Sequence, residues 1–97
     1  MDVTVDQLQR AVEGQHGGRA KLAGVAALRQ MFQGKTVWDG TVHIFNLEGH
    51  PTATRAYAWS SPIEGSTKRR FYAMLHLGGI MTPQDAVRAA IAEEERK

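Results

Sequence analysis

Four histidines, ten carboxylates and no cysteine set what chemistry this 97-residue chain can attempt. His43 lies on a strand before a hairpin tip and His50 in the tip itself, His76 on a later strand and His16 in a glycine-rich connection. None has the His-x-x-x-His or paired spacing that holds two zinc ligands on one element. The lack of cysteine removes thiolate ligands and thiol nucleophiles altogether. The expectation is therefore no metal and no cofactor, with the histidines as surface or hydrogen-bonded groups. Glu48-Gly49-His50 sets an acid beside a base, the pairing general catalysis uses. It does so in a solvated turn, a poor place to shift a pKa. Asp39-Gly40 beside Trp38 reads as a turn or bulge. Gly34-Lys35-Thr36 lacks the upstream glycine of a phosphate loop and precedes a strand rather than a helix. Gly14–Gly18 is too unpatterned for a nucleotide site. No catalytic residue emerges, and an enzyme using His43, His50 or His76 ranks last among the readings below.

Chemistry needs a scaffold, and the length suits one domain over 1–97 with a single modest core. The composition, 42% hydrophobic and 23% charged, is that of an ordinary folded protein. Met1-Asp2-Val3-Thr4 lacks the order of a signal peptide. The apolar runs fall far short of the roughly 20 residues of a membrane span. These features predict a cytoplasmic protein with no membrane partner. The pI of about 9.3 rests on a formal charge of only +2. Lys68-Arg69-Arg70 is one short basic cluster, partly offset by Glu93-Glu94-Glu95, so bulk charge does not point to nucleic acid.

Gly34–Ser61 reads as a long β-hairpin: an arm from Val37 to Leu47, a tip at Glu48-Gly49-His50-Pro51, and a return from Ala53 to Trp59. Arg69–Leu77 is a further strand, after a polar loop over Ser60–Lys68. Arg19–Phe32 reads two ways. Ala26–Met31 has helix propensity, but Gln33-Gly34 forms a tight turn directly before a strand, and the balance favours a fourth strand. Thr4-Val5-Asp6-Gln7 fits a capping box opening a helix that Gly14 stops. Thr82-Pro83-Gln84-Asp85 opens a second helix, with Thr82 as N-cap and Pro83 where a missing N–H costs nothing. That helix runs to about Glu95, buries Val87, Ala90 and Ile91, and has Arg96 and Lys97 at its negative end. The predicted fold is α+β: an antiparallel meander of three to four strands, packed on one face by an N-terminal and a C-terminal helix.

Alternation then sorts the strand residues. Small side chains admit a helix, which assigns Ala56, Ala58, Phe71, Ala73, Leu75 and Leu77 to the helix-packed side. Arg55, Tyr57, Trp59, Arg70, Tyr72, Met74 and His76 fall on the other. A four-residue tip would place Phe45 opposite Thr54 and add Val42 and Ile44 to that outer side; a tip one residue longer or shorter would reverse this. An outer face so aromatic predicts a partner. The favoured reading is a non-enzymatic homodimeric module binding a protein or a small apolar ligand there. A further reading is that the Trp and Tyr are partly folded under loops and the face has no partner. The first alternative function is a platform for single-stranded nucleic acid, with rings on bases and arginines on phosphates. The double-stranded RNA-binding fold shares the element order, but the acidic entry Gln84-Asp85 opposes its phosphate-gripping helix.

The run Phe32-Gln33-Gly34-Lys35-Thr36-Val37-Trp38-Asp39-Gly40, with Gly49-His50-Pro51, Arg55–Trp59 and Ala86–Ile91, resembles a group of small bacterial proteins often carried as mobile integron gene cassettes. The resemblance covers most of the chain. It implies a small standalone soluble protein, and it carries over no function and no catalytic residue. In similar sequences the segment before Phe32 alternates like a strand, whereas Ala26-Ala27-Leu28 here departs from that pattern.

Overall fold

Gln33 (φ 52°) and Gly34 (φ 79°) form the positive-φ pair of a type I′ turn. The twist of such a turn matches that of two antiparallel strands. In the computed structural model, which describes residues 5–63 and 65–95, they join β1 (Arg19–Phe32) to β2 (Lys35–Glu48) with Phe32 opposite Lys35. Arg19–Phe32 is thus a strand, and pairing overrides the helix propensity of Ala26–Met31. A register shift between Leu22 and Gly24 leaves Ala23 as an extra residue. Ala20 and Leu22 lie opposite Leu47 and Phe45, but beyond the bulge Gly24 and Ala26 lie opposite Ile44 and Val42. Such a slip moves every later side chain to the other face.

β3 (Arg55–Pro62) and β4 (Arg69–Leu75) complete a four-stranded antiparallel sheet in the order β1-β2-β3-β4. The α+β meander is as expected. Phe45 pairs with Ala56 rather than Thr54, because the tip takes in Ala53 and Thr54. Leu47 N–H donates to Thr54 O at 2.9 Å, and His50 Nδ1 accepts from the N–H groups of Thr52 and Ala53 at 3.1 and 2.9 Å. The shift is two residues, so parity survives and Ile44 still shares a face with Tyr57. Leu77 does not extend β4. Its N–H folds back to Leu75 O at 2.9 Å, which turns the chain and leaves Leu77 exposed.

The helices lie on opposite faces of the sheet, not together on one. On α1 (Val5–His16), Leu8 and Val12 pack against Ala20, Phe45, Leu47, Ala56, Ala58 and Ala73. On α2 (Pro83–Glu95), Ala86, Val87 and Ala90 pack against Val42, Tyr57 and Trp59. Tyr57 and Trp59 are 1% and 2% exposed. The predicted outer face is therefore a second core. The physical reason is apolar area: a face carrying Val42, Tyr57, Trp59 and Tyr72 is too large to be left to water.

α1 passes through Gly14 and ends at His16, where Gly17 (φ 80°) adopts the left-handed cap and donates to Glu13 O at 2.9 Å. Its last turn also holds both outer strands. Glu13 Oε2 accepts from Ala20 N–H at 2.9 Å, and His16 Nε2–H donates to Ala73 O at 2.6 Å. At the start of α2, Thr82 Oγ1 accepts from Asp85 N–H and Asp85 Oδ2 from Met81 N–H, a reciprocal cap. The Thr4 capping box and the pairing of Arg96 and Lys97 with the dipole lie outside the described residues. No helix among the described residues is long and apolar enough to cross a membrane.

Trp59→Ala tests the second core. Truncating a buried tryptophan costs about 3–5 kcal/mol, against about 0.5 kcal/mol or less for a surface ring. Urea unfolding of the variant is expected to show the larger loss.

Candidate functional site

The ladder between β2 and β3 stops early. It runs from Asn46↔Arg55 to His43↔Ala58, yet β2 continues beside β1 back to Lys35 and β3 continues beside β4 to Pro62. Two hairpins thus part company beyond His43 and Ala58. The bond from Leu47 N–H to Thr54 O fixes the alternation: odd residues of β2 and even residues of β3 aim their backbone groups at each other. Asp39, Thr41 and Ser60 therefore face the gap without the ladder partners a closed sheet would supply.

That gap is a cleft of about 670 Å³. Its two sides follow from strand parity. Towards α2 it is mainly aromatic and apolar: Trp38, Trp59 and Tyr72 line it, backed by Val87, Ala90 and Ile91, with Ser61 and Arg70 as the polar groups of that side. Trp59 stacks on Tyr72 at 5.3 Å with the rings 10° from parallel, and Trp38 meets Trp59 edge-on at 6.1 Å. Trp38 Nε1–H crosses the gap to Ser61 Oγ at 3.0 Å. A Cβ on Gly40 would come within 2.9 Å of the Trp38 ring, so only glycine lets the indole lie along its own strand.

Towards the α1 face the same cleft is polar, with Asp39, Thr41, His43, Ser60 and Arg69 at its wall and Leu8 at its border. Arg69 donates from Nε to Ser60 Oγ at 2.8 Å and from Nη2 to Ser60 O at 3.2 Å. The guanidinium thus takes the carbonyl that a continued β2–β3 ladder would have used. Asp39 is paired with Arg29 at 3.4 Å, both side chains being more than half exposed. Such a pair is worth little.

His43 is the exception among the histidines. His16, His50 and His76 each have a hydrogen-bonded ring nitrogen, as expected. His43 Nδ1 is enclosed and has no partner. Burial holds its pKa below the usual 6.5.

Of the residues nominated from sequence, Trp59, Arg70 and Tyr72 line the cleft. Arg55 is exposed at the far end of the β2–β3 ladder, and Met74 packs within the α2 core. Tyr57 is buried, its hydroxyl 2.6 Å from His76 Nδ1 and donating to Met81 O at 3.3 Å. These four lie apart from the cleft. Sequence reasoning missed Trp38, Ser60, Ser61 and Arg69 as site residues, and weighed His43 only for an enzyme, not for the binding face. The signal was Trp38-x-Gly40, a large ring two positions from a glycine on one strand face.

Two outcomes test this geometry. Gly40→Ala is expected to push the Trp38 indole off its strand, break the bond to Ser61 and cost about 1–3 kcal/mol. Tryptophan emission should shift to longer wavelength, since both tryptophans of the chain line the cleft. For His43, the unfolded chain takes up a proton at the ordinary value of 6.5 while the folded protein resists it. Stability then falls as pH drops below 6.5, and is free of this penalty above it. His43→Gln is expected to flatten that slope in denaturant titrations on either side of pH 6.5.

No family model, curated protein or solved structure matches the chain, so its function is argued from the cleft itself.

Proposed function

We propose that this is a cytoplasmic, non-enzymatic binding module that holds a small organic molecule in the cleft between β2 and β3. One observation carries the reading: the sheet opens where both tryptophans and Tyr72 can line the opening. A volume of about 670 Å³ lies within the roughly 300–1,000 Å³ of small-molecule sites. An apolar floor with a few polar groups at the mouth is the usual build of such sites. The floor is also held in advance. Trp38 is fixed by Ser61 and Gly40, and Trp59 by Tyr72, so little side-chain entropy is lost on binding.

The other sequence-based readings have less support. A contact or nucleic-acid platform built on Tyr57 and Trp59 has no exposed rings to use. The apolar residues left outside on β1 are Leu22, Val25 and Met31. The charged residues of that strand, Arg19, Lys21 and Arg29, are all basic. Antiparallel pairing with a second copy centred on Val25 would set Lys21 opposite Arg29 twice, which opposes a dimer through this edge.

The test is a titration with planar aromatic probes, charged and uncharged, read by the two indole N–H signals in NMR. Binding is expected to shift both signals, and Trp38→Ala is expected to weaken it about tenfold or more while leaving the fold intact by circular dichroism. A panel in which no probe moves either signal at millimolar concentration overturns the reading.

A further inference from the structure

We infer that the cleft selects a planar organic acid, whose carboxylate sits at the α1-side mouth and accepts a hydrogen bond from Nε2–H of a neutral His43. This rests on the cleft being a ligand site and adds the chemical class of the ligand.

The enclosed nitrogen of His43 decides which tautomer the ring adopts. A neutral imidazole has one N–H and one bare nitrogen. His43 Nδ1 is cut off from solvent and has no acceptor within reach. A proton placed there would be an orphaned buried donor, which proteins tolerate less readily than an unused lone pair. The proton therefore resides on Nε2. That nitrogen is not among the enclosed, unpartnered atoms, and His43 is part of the cleft wall. His43 thus offers the cleft a donor and no acceptor. Full protonation is opposed by the same enclosure, since the second N–H would also lack a partner.

The neighbouring group points the same way. Ser60 is the next residue along β3 on the face of Ala58, and Ala58 is the partner of His43. Arg69 is bonded to Ser60 through two of a guanidinium's five N–H donors, which leaves donors at the same mouth. One neutral donor and one cation on this wall, with a second arginine, Arg70, on the aromatic side of the cleft, fit an anion with a planar apolar body. The acid of this wall, Asp39, is more than half exposed, so solvent screens its charge, and Arg29 lies 3.4 Å from it. A cationic ligand would meet Arg69 and gain nothing from His43.

The experiment compares 2-naphthoate with 2-naphthamide, the same ring with and without the charge, followed through the indole N–H signals at pH 7.5. The acid is expected to bind about tenfold or more tightly than the amide. His43→Leu should remove about tenfold from the acid and leave the amide nearly unchanged, and His43→Gln, whose amide N–H can replace Nε2–H, should restore most of the loss. If His43→Leu fails to fold, His43→Gln against His43→Asn carries the same comparison. In ¹⁵N-histidine spectra of the ligand-free protein, His43 is expected to show a protonated Nε2 and a bare Nδ1. Amide binding equal to acid binding sinks the ligand class while leaving the cleft as a site. A proton on Nδ1 sinks the assignment of the donor. Silence from both probes removes the cleft reading and this inference together.

Discussion

Everything distinctive in this structure follows from a hydrogen-bond ladder that ends too soon. β2 and β3 share only the pairs from His43↔Ala58 to Asn46↔Arg55, while their outer partners carry on. Each strand keeps half of its backbone bonds, so the sheet stays ordered as two hairpins joined near one end. The inner halves are the liability, since a dry, unpaired backbone group costs about 1–3 kcal/mol. The molecule limits that cost with side chains. Arg69 takes the Ser60 carbonyl from one face; from the other, Trp38 bonds the Ser61 hydroxyl, which satisfies no backbone group but ties the two walls together.

Size complementarity decides where the helices go. α1 brings Leu8 and Val12 to a face lined largely by alanines: Ala20, Ala56, Ala58 and Ala73. α2 does the reverse, bringing Ala86 and Ala90 with Val87 to Tyr57, Trp59 and Val42. Large meets small on both sides, as close packing requires. α2 is further pinned at its edge, where Gln84 Nε2 and Arg88 Nε both donate to Gln30 Oε1 on β1. The premise that small strand residues alone admit a helix was the weak step. A helix with alanines of its own can sit on aromatic rings.

Much of this was legible in the chain for local reasons. Thr82-Pro83-Gln84-Asp85 announces a helix start because its bonds are made within four residues, and Gln33-Gly34 announces a turn for the same reason. The parity of Ala56–Trp59 and of Phe71–Met74 was legible because those strands carry no bulge. β1 was harder to read. Ala23 interrupts the alternation, so neither period 2 nor period 3.6 runs unbroken through Arg19–Phe32. The cleft was not legible at all, since it depends on where two strands cease to pair. The enclosure of His43 Nδ1 is likewise a property of the assembled walls.

With the structure in hand, the sequence does explain why the gap stays open. Pro62 falls at a β3 position whose backbone would face β2, since even residues of this strand point that way. In a closed sheet a proline there would break a central ladder. Here β3 is locally an edge, and the missing N–H has no acceptor to lose. Trp59-Ser60-Ser61-Pro62 then reads as one unit: a ring for the apolar floor, a hydroxyl pinned on each face, and a residue that cannot continue the pairing. The opposite wall answers with Trp38-Asp39-Gly40, where the glycine lets the indole lie along its own strand and reach the Ser61 hydroxyl across the gap. A separation maintained from both walls by residue type is built into the chain, and it would persist with the cleft empty.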